Sequence, residues 1–245
     1  MRPRIFWMRS GQRTGAKYMN NGNISGGTRL YINITNACNT DCPFCCMYSG
    51  TDKGRYMEFE TYKTILDSCA GELEVQLEGG EPLLHRELFR FAEYAAGLGR
   101  CRKLIILTNG LALPRFMNRL TEFSVSHHMP LELKISVNYW LMQTESRHLQ
   151  NLRTLIQAAA ETPTVQIRLN VRKRKHGDES MEAELERYGL LPYSNIYYLQ
   201  SYGKLKGSPL YEGPVIVQNI SNWGLYASDG TYFGQDLVAR SEYEK

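Results

Sequence analysis

Short runs of apolar and β-branched residues alternate along the chain with longer segments in which apolar residues recur every three or four positions. The first pattern indicates buried strands, and the second indicates helices with one apolar face. Strands are predicted at residues 29–35, 74–78, 103–107, 131–137, 164–171 and 195–200. Helices are predicted between them at residues 58–69, 86–98, 114–125, 145–160 and 178–188.

This alternation of strands and helices is typical of parallel sheets joined by crossover helices. It fits either a barrel or an open doubly wound sheet, and in both folds ligands bind at the carboxyl ends of the strands. Several polar clusters directly follow predicted strands, in agreement with that rule. We therefore predict an α/β domain with a basic arm at residues 1–28, a core at 29–205 and a C-terminal cap at 206–245.

Composition changes this picture little. The chain has 245 residues, 42% hydrophobic and 22% charged, which is ordinary for a globular domain. It contains no apolar run of about 18 residues and no signal-peptide pattern, so a cytoplasmic protein without a membrane segment is predicted. The net charge is only +4, so a nucleic-acid partner is not expected. The basic arm fits either a solvated segment or contact with an anionic partner.

Candidate chemistry begins with three cysteines, which are spaced Cys38-x-x-x-Cys42-x-x-Cys45 directly after the first predicted strand. Clustered thiols in a chain of this size favour metal binding over disulfides. A structural zinc site needs four protein ligands, and the remaining cysteines supply no second pair. The alternative is a [4Fe–4S] cluster that three cysteines hold, with its fourth iron open to another molecule.

Two motifs resemble those of the radical S-adenosylmethionine (SAM) superfamily. The cysteine loop, with Phe44 before its last cysteine, is similar to the C-x-x-x-C-x-φ-C loop of that superfamily, and Gly79-Gly80-Glu81-Pro82 is similar to its GGEP motif. The resemblance implies a partial (β/α)6 TIM-like barrel of parallel strands with a short C-terminal extension. It also implies one [4Fe–4S] cluster bound by Cys38, Cys42 and Cys45.

The same resemblance implies a reaction and its cofactor. SAM would bind the open iron and be cleaved reductively to a 5′-deoxyadenosyl radical, which abstracts a hydrogen atom from the substrate. The electron would come from a donor such as flavodoxin or ferredoxin. Gly79, Gly80, Glu81 and Pro82 would hold the amino group of SAM, where glycines admit close backbone contact and a carboxylate suits an ammonium. Phe44 would pack near the adenine or anchor the loop.

Weaker matches to the superfamily extend the SAM site along later strands. Asn109 lies in a Thr-Asn-Gly turn after the third strand, and Ser136 and Asn138 lie at the end of the fourth, although the aspartate and glycine usual there are missing. Arg147 matches an arginine that pairs with the carboxylate of SAM, and a solvent-facing helix position is the alternative.

On the fifth strand, polar residues alternate with apolar ones, so one set faces the interior of the fold. Buried polar side chains are unfavourable unless they bind something. Arg168 and Asn170 are therefore predicted to contact SAM or the substrate.

The substrate is left open among three classes. Residues 200–236 resemble the tail of peptide maturases with a SPASM-type domain, but Gly234 replaces a cluster cysteine and no cysteine follows Cys101, so a shortened tail without an auxiliary cluster is predicted. Modification of a peptide or protein is the preferred interpretation. The basic run at 172–176 fits a small molecule or nucleotide, or a solvated loop. Glu132-Leu133-Lys134 loosely matches activases of glycyl-radical enzymes.

A thiol has a weak S–H bond and is able to quench a substrate radical. Cys46 adjoins the cluster loop and is the candidate hydrogen donor. For Cys69 and Cys101 burial in the core is the preferred interpretation, because free cysteine behaves as a small hydrophobe. Aromatic residues of the tail either close over the barrel mouth or form the packing core of the cap: Tyr211, Trp223, Tyr226, Tyr232 and Phe233.

Overall fold

A computed structural model of the chain describes residues 28–208 and 222–245. Tyr211 and the predicted basic arm, apart from Thr28, lie outside these residues. Within the described ranges, every helix is too short or too polar to cross a membrane.

The strands form one parallel sheet in the order β6-β5-β4-β3-β2-β1-β7. Their bounds are β1 (Thr28–Thr35), β2 (Leu73–Gly79), β3 (Cys101–Thr108), β4 (Leu131–Asn138), β5 (Val165–Lys173), β6 (Ser194–Tyr198) and β7 (Trp223–Tyr226). In the described part of the chain β6 and β7 are the two edges, so the sheet is a partial barrel. The α/β fold and all six predicted strands are confirmed.

Most of the helices cover the outer face of this sheet, while the last one contributes to the cavity. Their bounds are α1 (Phe59–Ser68), α2 (Leu88–Gly97), α3 (Leu113–Ser126), α4 (Tyr139–Thr144), α5 (His148–Ala159), α6 (Met181–Arg187) and α7 (Leu237–Tyr243). The five predicted helices are confirmed, while the short α4 and α7 were not predicted. Every second strand residue, such as Leu133 and Ile135 on β4, packs against the helices in one continuous apolar core. The other set faces the inside of the barrel, where the site lies.

The seventh strand corrects the sequence prediction of six. Trp223 and Leu225 of β7 are buried with Tyr202 and Leu237 in a second apolar cluster. The ring of Trp223 also packs edge-on against Tyr31 of β1, at 5.6 Å between ring centroids. Part of the predicted cap therefore extends the core sheet next to β1, and the domain boundary at residue 206 stays a prediction.

Candidate functional site

The inward faces of the strands and the loop after β1 enclose a cavity of about 310 Å³. The three cysteines of the sequence motif, Cys38, Cys42 and Cys45, all line it. The cavity thus lies at the carboxyl ends of the strands, where parallel α/β folds bind their ligands.

Backbone hydrogen bonds close the cysteine loop on itself. The N–H of Cys38 donates to the carbonyl of Gly50 at 3.0 Å, and the N–H of Gly50 donates to the carbonyl of Asn36 at 3.3 Å. The Asp41 carboxylate accepts hydrogen bonds from the N–H and hydroxyl of Thr51 at 2.8 and 2.6 Å, which lower the pKa of Asp41. The loop therefore presents its thiols from a framework that does not depend on the thiols themselves.

The cysteine thiols are set in a desolvated environment. Burial raises the pKa of the Cys38 thiol to about 11 and that of Cys42 to about 12, and the nearby charge of Cys45 adds to both shifts. The Asn109 amide donates to the sulfur of Cys38 at 3.6 Å. A metal centre reverses this balance, because coordination deprotonates a thiol outright.

Cysteine thiols bind both single metal ions and iron–sulfur clusters. Within residues 28–208 and 222–245, no three His, Cys, Asp or Glu side chains stand close enough together to hold one metal ion. A zinc ion needs its sulfurs at about 2.3 Å from one centre. In a [4Fe–4S] cluster each cysteine binds a different iron, so the ligands stand farther apart. The three thiols that line the cavity are the donor groups that such a cluster requires.

Two glycines allow the end of β2 to lie directly against the cysteine loop. The N–H of Gly80 donates to the carbonyl of Thr35 at 2.7 Å, and the N–H of Glu81 donates to the carbonyl of Ala37 at 2.8 Å. A Cβ atom on Gly80 would stand 2.1 Å from the Ala37 carbonyl oxygen. Gly79 has φ of +136°, and a Cβ there would stand 2.2 Å from the Thr35 carbonyl oxygen. The glycines therefore admit close contact with the loop, and both also line the cavity.

Glu81 connects the ends of β2 and β3 through its side chain. Its buried carboxylate accepts hydrogen bonds from the Thr108 hydroxyl and the N–H of Asn109, both at 2.8 Å, and from the N–H of Leu83 at 3.1 Å. Burial raises the pKa of Glu81 to about 7, against the effect of these hydrogen bonds. Gly79 and Gly80 are among the described residues that line the cavity, whereas Glu81 and Pro82 are not.

Most of the other predicted SAM contacts do line the cavity. These side chains come from the cysteine loop and from the ends of β3, β4 and β5: Phe44, Asn109, Ser136, Asn138, Arg168 and Asn170. Phe44 packs on Tyr139 at 5.3 Å between ring centroids, so it anchors the loop and faces the cavity at once. The Asn138 side chain also accepts from the N–H of Leu141 at 2.9 Å and caps α4.

Arg147 stands apart from this group. It is exposed at the start of α5 and is not among the described residues that line the cavity. Its placement agrees with the solvent-facing alternative. Its predicted pairing with the carboxylate of SAM remains an untested prediction.

Several polar and charged side chains of the cavity were not predicted as site residues. Gln76, Glu78, Lys103 and Arg240 had no predicted role, while Glu132, Lys134 and Arg172 were noted only in the activase match and in the basic run. On β2 and β4 these residues alternate with apolar ones, so the period-two pattern used for β5 would have found them. No sequence pattern marked Arg240 as a site residue, because α7 brings it to Glu78 from 162 residues away in the sequence.

The three remaining cysteines occupy different surroundings. Cys46 lines the cavity beside the cluster loop, and its carbonyl accepts a hydrogen bond from the hydroxyl of Ser241. The Cys69 thiol donates to the Ile65 carbonyl at 3.3 Å, and Cys101 is buried in the apolar core. Only Cys46 of these three is therefore placed to meet a substrate within the described cavity.

Residues 32–139 match the sequence model of the Radical SAM superfamily. The GTP 3′,8-cyclase of Alkaliphilus oremlandii is 30% identical over 98 residues, which cover 38% of this chain and 31% of that protein. The GTP 3′,8-cyclase of Synechocystis sp. is 29% identical over 136 residues, 52% of this chain and 39% of that protein. The chain thus spans only about a third of the length of these curated relatives.

Solved structures share the fold at lower identity. Streptococcus suis SuiB bound to precursor peptide SuiA superposes with a TM-score of 0.56 and 15% identity, over 75% of this chain and 42% of that chain. The structure of histidine-tagged anSMEcpe with bound AdoMet gives a TM-score of 0.56 and 14% identity, over 86% of this chain and 74% of that chain. These similarities concern the fold.

Proposed function

We propose that this chain, whose residues 32–139 match the Radical SAM superfamily, is an enzyme that cleaves SAM to abstract a hydrogen atom from a substrate inside the cavity. The observation that carries this proposal is the convergence of Cys38, Cys42 and Cys45 with the polar ends of β2 to β5 on one cavity. When bound, one [4Fe–4S] cluster and SAM supply a 5′-deoxyadenosyl radical, after reduction by a donor such as flavodoxin or ferredoxin.

The protein residues hold and shield these groups. Cys38, Cys42 and Cys45 bind the cluster, and the Asn109 amide stabilises negative charge on the sulfur of Cys38. The backbone at Gly79 and Gly80 offers polar groups to the amino end of SAM. Ser136 and Asn170, which are paired in register on β4 and β5, offer donors to its carboxylate and ribose. The ring of Phe44 limits the access of water to the reacting atoms.

We propose a peptide or protein as the first substrate class. The shared fold with SuiB, whose structure contains a precursor peptide, supports this class. A phosphorylated small molecule or nucleotide is the second candidate, because basic side chains outnumber carboxylates in the described cavity lining. The sequence relatives named as GTP 3′,8-cyclases also support the second class.

Anaerobic reconstitution tests the proposal directly. The reconstituted protein is expected to bind about four irons and four sulfides and to release 5′-deoxyadenosine from SAM when reductant is added. Iron content and chromatography of the nucleoside products measure these outcomes. Bound zinc without SAM cleavage would contradict the proposal. A panel of peptides encoded beside the gene, compared with nucleotides, then separates the two substrate classes by mass change.

A separate test concerns the hydrogen donor. We expect Cys46→Ala to retain SAM cleavage but to stall product formation, because Cys46 lines the cavity and carries a weak S–H bond. Product yield and solvent deuterium incorporation measure the effect. The matched control is Cys69→Ala, whose thiol contacts the Ile65 carbonyl away from the cavity. Unchanged product yield in Cys46→Ala would exclude the donor role.

A further inference from the structure

The described lining of the cavity contains more cations than carboxylates. Its basic side chains are Lys103, Lys134, Arg168, Arg172 and Arg240, and its carboxylates are Glu78 and Glu132. Arg240 donates to Glu78 at 2.6 Å, and Lys103 donates to Glu132 at 3.1 Å. Five cations against two carboxylates leave an excess of positive charge in the described lining, and the charge of Glu132 also acts on Lys134.

Two of these cations, Lys134 and Arg168, lie opposite each other in the sheet. They pair in register between β4 and β5, and both line the cavity. Neighbouring strands are about 4.8 Å apart, and like charges directly opposite each other are destabilising. An anion between the two side chains would interact favourably with both charges.

The local contacts hold Lys134 in place for such a role. Its ammonium donates to the Gln76 side-chain oxygen at 3.0 Å, and 9% of the residue is exposed. Burial lowers the pKa of Lys134 to about 8, partly offset by the charges of Glu132 and Glu78. Arg168, by contrast, is exposed to the cavity. A buried point charge thus stands beside an accessible guanidinium fork.

Lys134 and Arg168 lie deeper in the barrel than the residues proposed to contact SAM. Ser136 and Asn170 follow Lys134 and Arg168 by two residues toward the carboxyl ends of β4 and β5. At about 3.3 Å per residue, the basic pair lies roughly 7 Å deeper in the barrel than Ser136 and Asn170. This position is on the side of the cavity away from the cysteine loop.

We propose that Lys134 and Arg168 bind an anionic group of the substrate, a carboxylate or a phosphate, and so fix which of its C–H bonds faces the cofactor. This inference rests on the proposed function and names the chemistry by which the same cavity recognises its substrate. Arginine binds either group through two parallel hydrogen bonds, and lysine adds a fixed charge.

Isothermal titration calorimetry on the reconstituted, unreduced full-length protein saturated with SAM tests the proposal. Pyrophosphate and glutamate serve as probes, and at least one is expected to bind. Arg168→Gln and Lys134→Gln should each weaken that binding at least tenfold, whereas Arg153→Gln, on the exposed face of α5, should leave it unchanged. Preference for pyrophosphate assigns a phosphate ligand, and preference for glutamate assigns a carboxylate.

Further measurements distinguish a loss of anion binding from a folding defect and from a loss of SAM binding. Arg168 is exposed, so its substitution leaves the core intact, and Lys134→Arg should restore affinity that Lys134→Gln loses. SAM affinity should stay within twofold in all variants. A tenfold loss of SAM affinity would assign the pair to the cofactor and overturn the proposal. Absence of probe binding to the wild type, or unchanged binding in Arg168→Gln, would also overturn it.

The same preparations separate this inference from the proposed function. Release of 5′-deoxyadenosine without added substrate reports the cluster and SAM alone. Release without anion binding would reject the basic subsite and leave the proposed function standing. Anion binding without release would retain the subsite as a binding site and reject the proposed function.

Discussion

Replacing Cys42 with alanine is expected to abolish cluster assembly and, with it, the release of 5′-deoxyadenosine. Cys38 and Cys45 would remain, and two thiolates leave a second iron of the cluster without a protein ligand. The thiol of Cys42 is desolvated at the cavity wall, so water does not replace it easily as a ligand. Iron and sulfide content after anaerobic reconstitution, together with nucleoside chromatography, measure the loss.

The backbone contacts of Cys42 make this a test of ligation rather than folding. The carbonyl of Cys42 accepts a hydrogen bond from the N–H of Cys45 at 3.1 Å, and alanine retains that contact. The variant should therefore unfold at nearly the same denaturant concentration as the wild-type apoprotein. Cys69→Ala, outside the cavity lining, is the control and should keep its iron. Full iron content and SAM cleavage in Cys42→Ala would refute the assigned ligand set.

Replacing Gly80 with alanine is expected to disrupt both stability and cluster binding. The added Cβ would stand 2.1 Å from the carbonyl oxygen of Ala37, a backbone atom of the cysteine loop that cannot rotate away. The loop and the end of β2 must separate, which also strains the hydrogen bond from Gly80 to Thr35 at 2.7 Å. We expect a loss of about 3 kcal/mol in the free energy of unfolding, as for severe overpacking.

Denaturant unfolding of the apoprotein measures the stability change, and iron content after reconstitution measures the displacement of the loop. Gly54→Ala is the matched control, because a Cβ at Gly54 meets no atom within 4 Å. That control should keep wild-type stability and iron content. Wild-type behaviour of Gly80→Ala would show that the loop does not pack on β2 as described.

The sheet shows which structural elements local sequence patterns reveal. Strands β1 to β6 and the helices between them follow from period-two and helical spacing, because each buries an apolar face that its own sequence displays. β7 is only four residues long and contains Gly224, so no local pattern marks it. It exists because Trp223 and Leu225 find apolar partners such as Tyr202 and Leu237 elsewhere in the chain.

Some residues of the candidate site were also predictable from the sequence, whereas others were not. The cysteine spacing and the Gly-Gly-Glu-Pro run pointed to the loop and to the end of β2 that packs on it. The alternation on β5 correctly predicted that Arg168 and Asn170 face the interior. It was not applied to β4, where Lys134 shows the same pattern. The contact between Arg240 and Glu78 depends on how α7 folds back over the barrel, and nothing local encodes it.

The sequence by itself determined the cysteine and Gly-Gly-Glu-Pro motifs, the parallel α/β fold and the position of Cys38, Cys42 and Cys45 after β1. These features rest on short-range spacing, which chain geometry converts directly into structure. Only the tertiary structure decided that Glu81 accepts a hydrogen bond from Thr108 and that Lys134 lies opposite Arg168 on the neighbouring strand. The physical reason is that burial and cross-strand register, rather than residue type, decide where a polar side chain finds its partners.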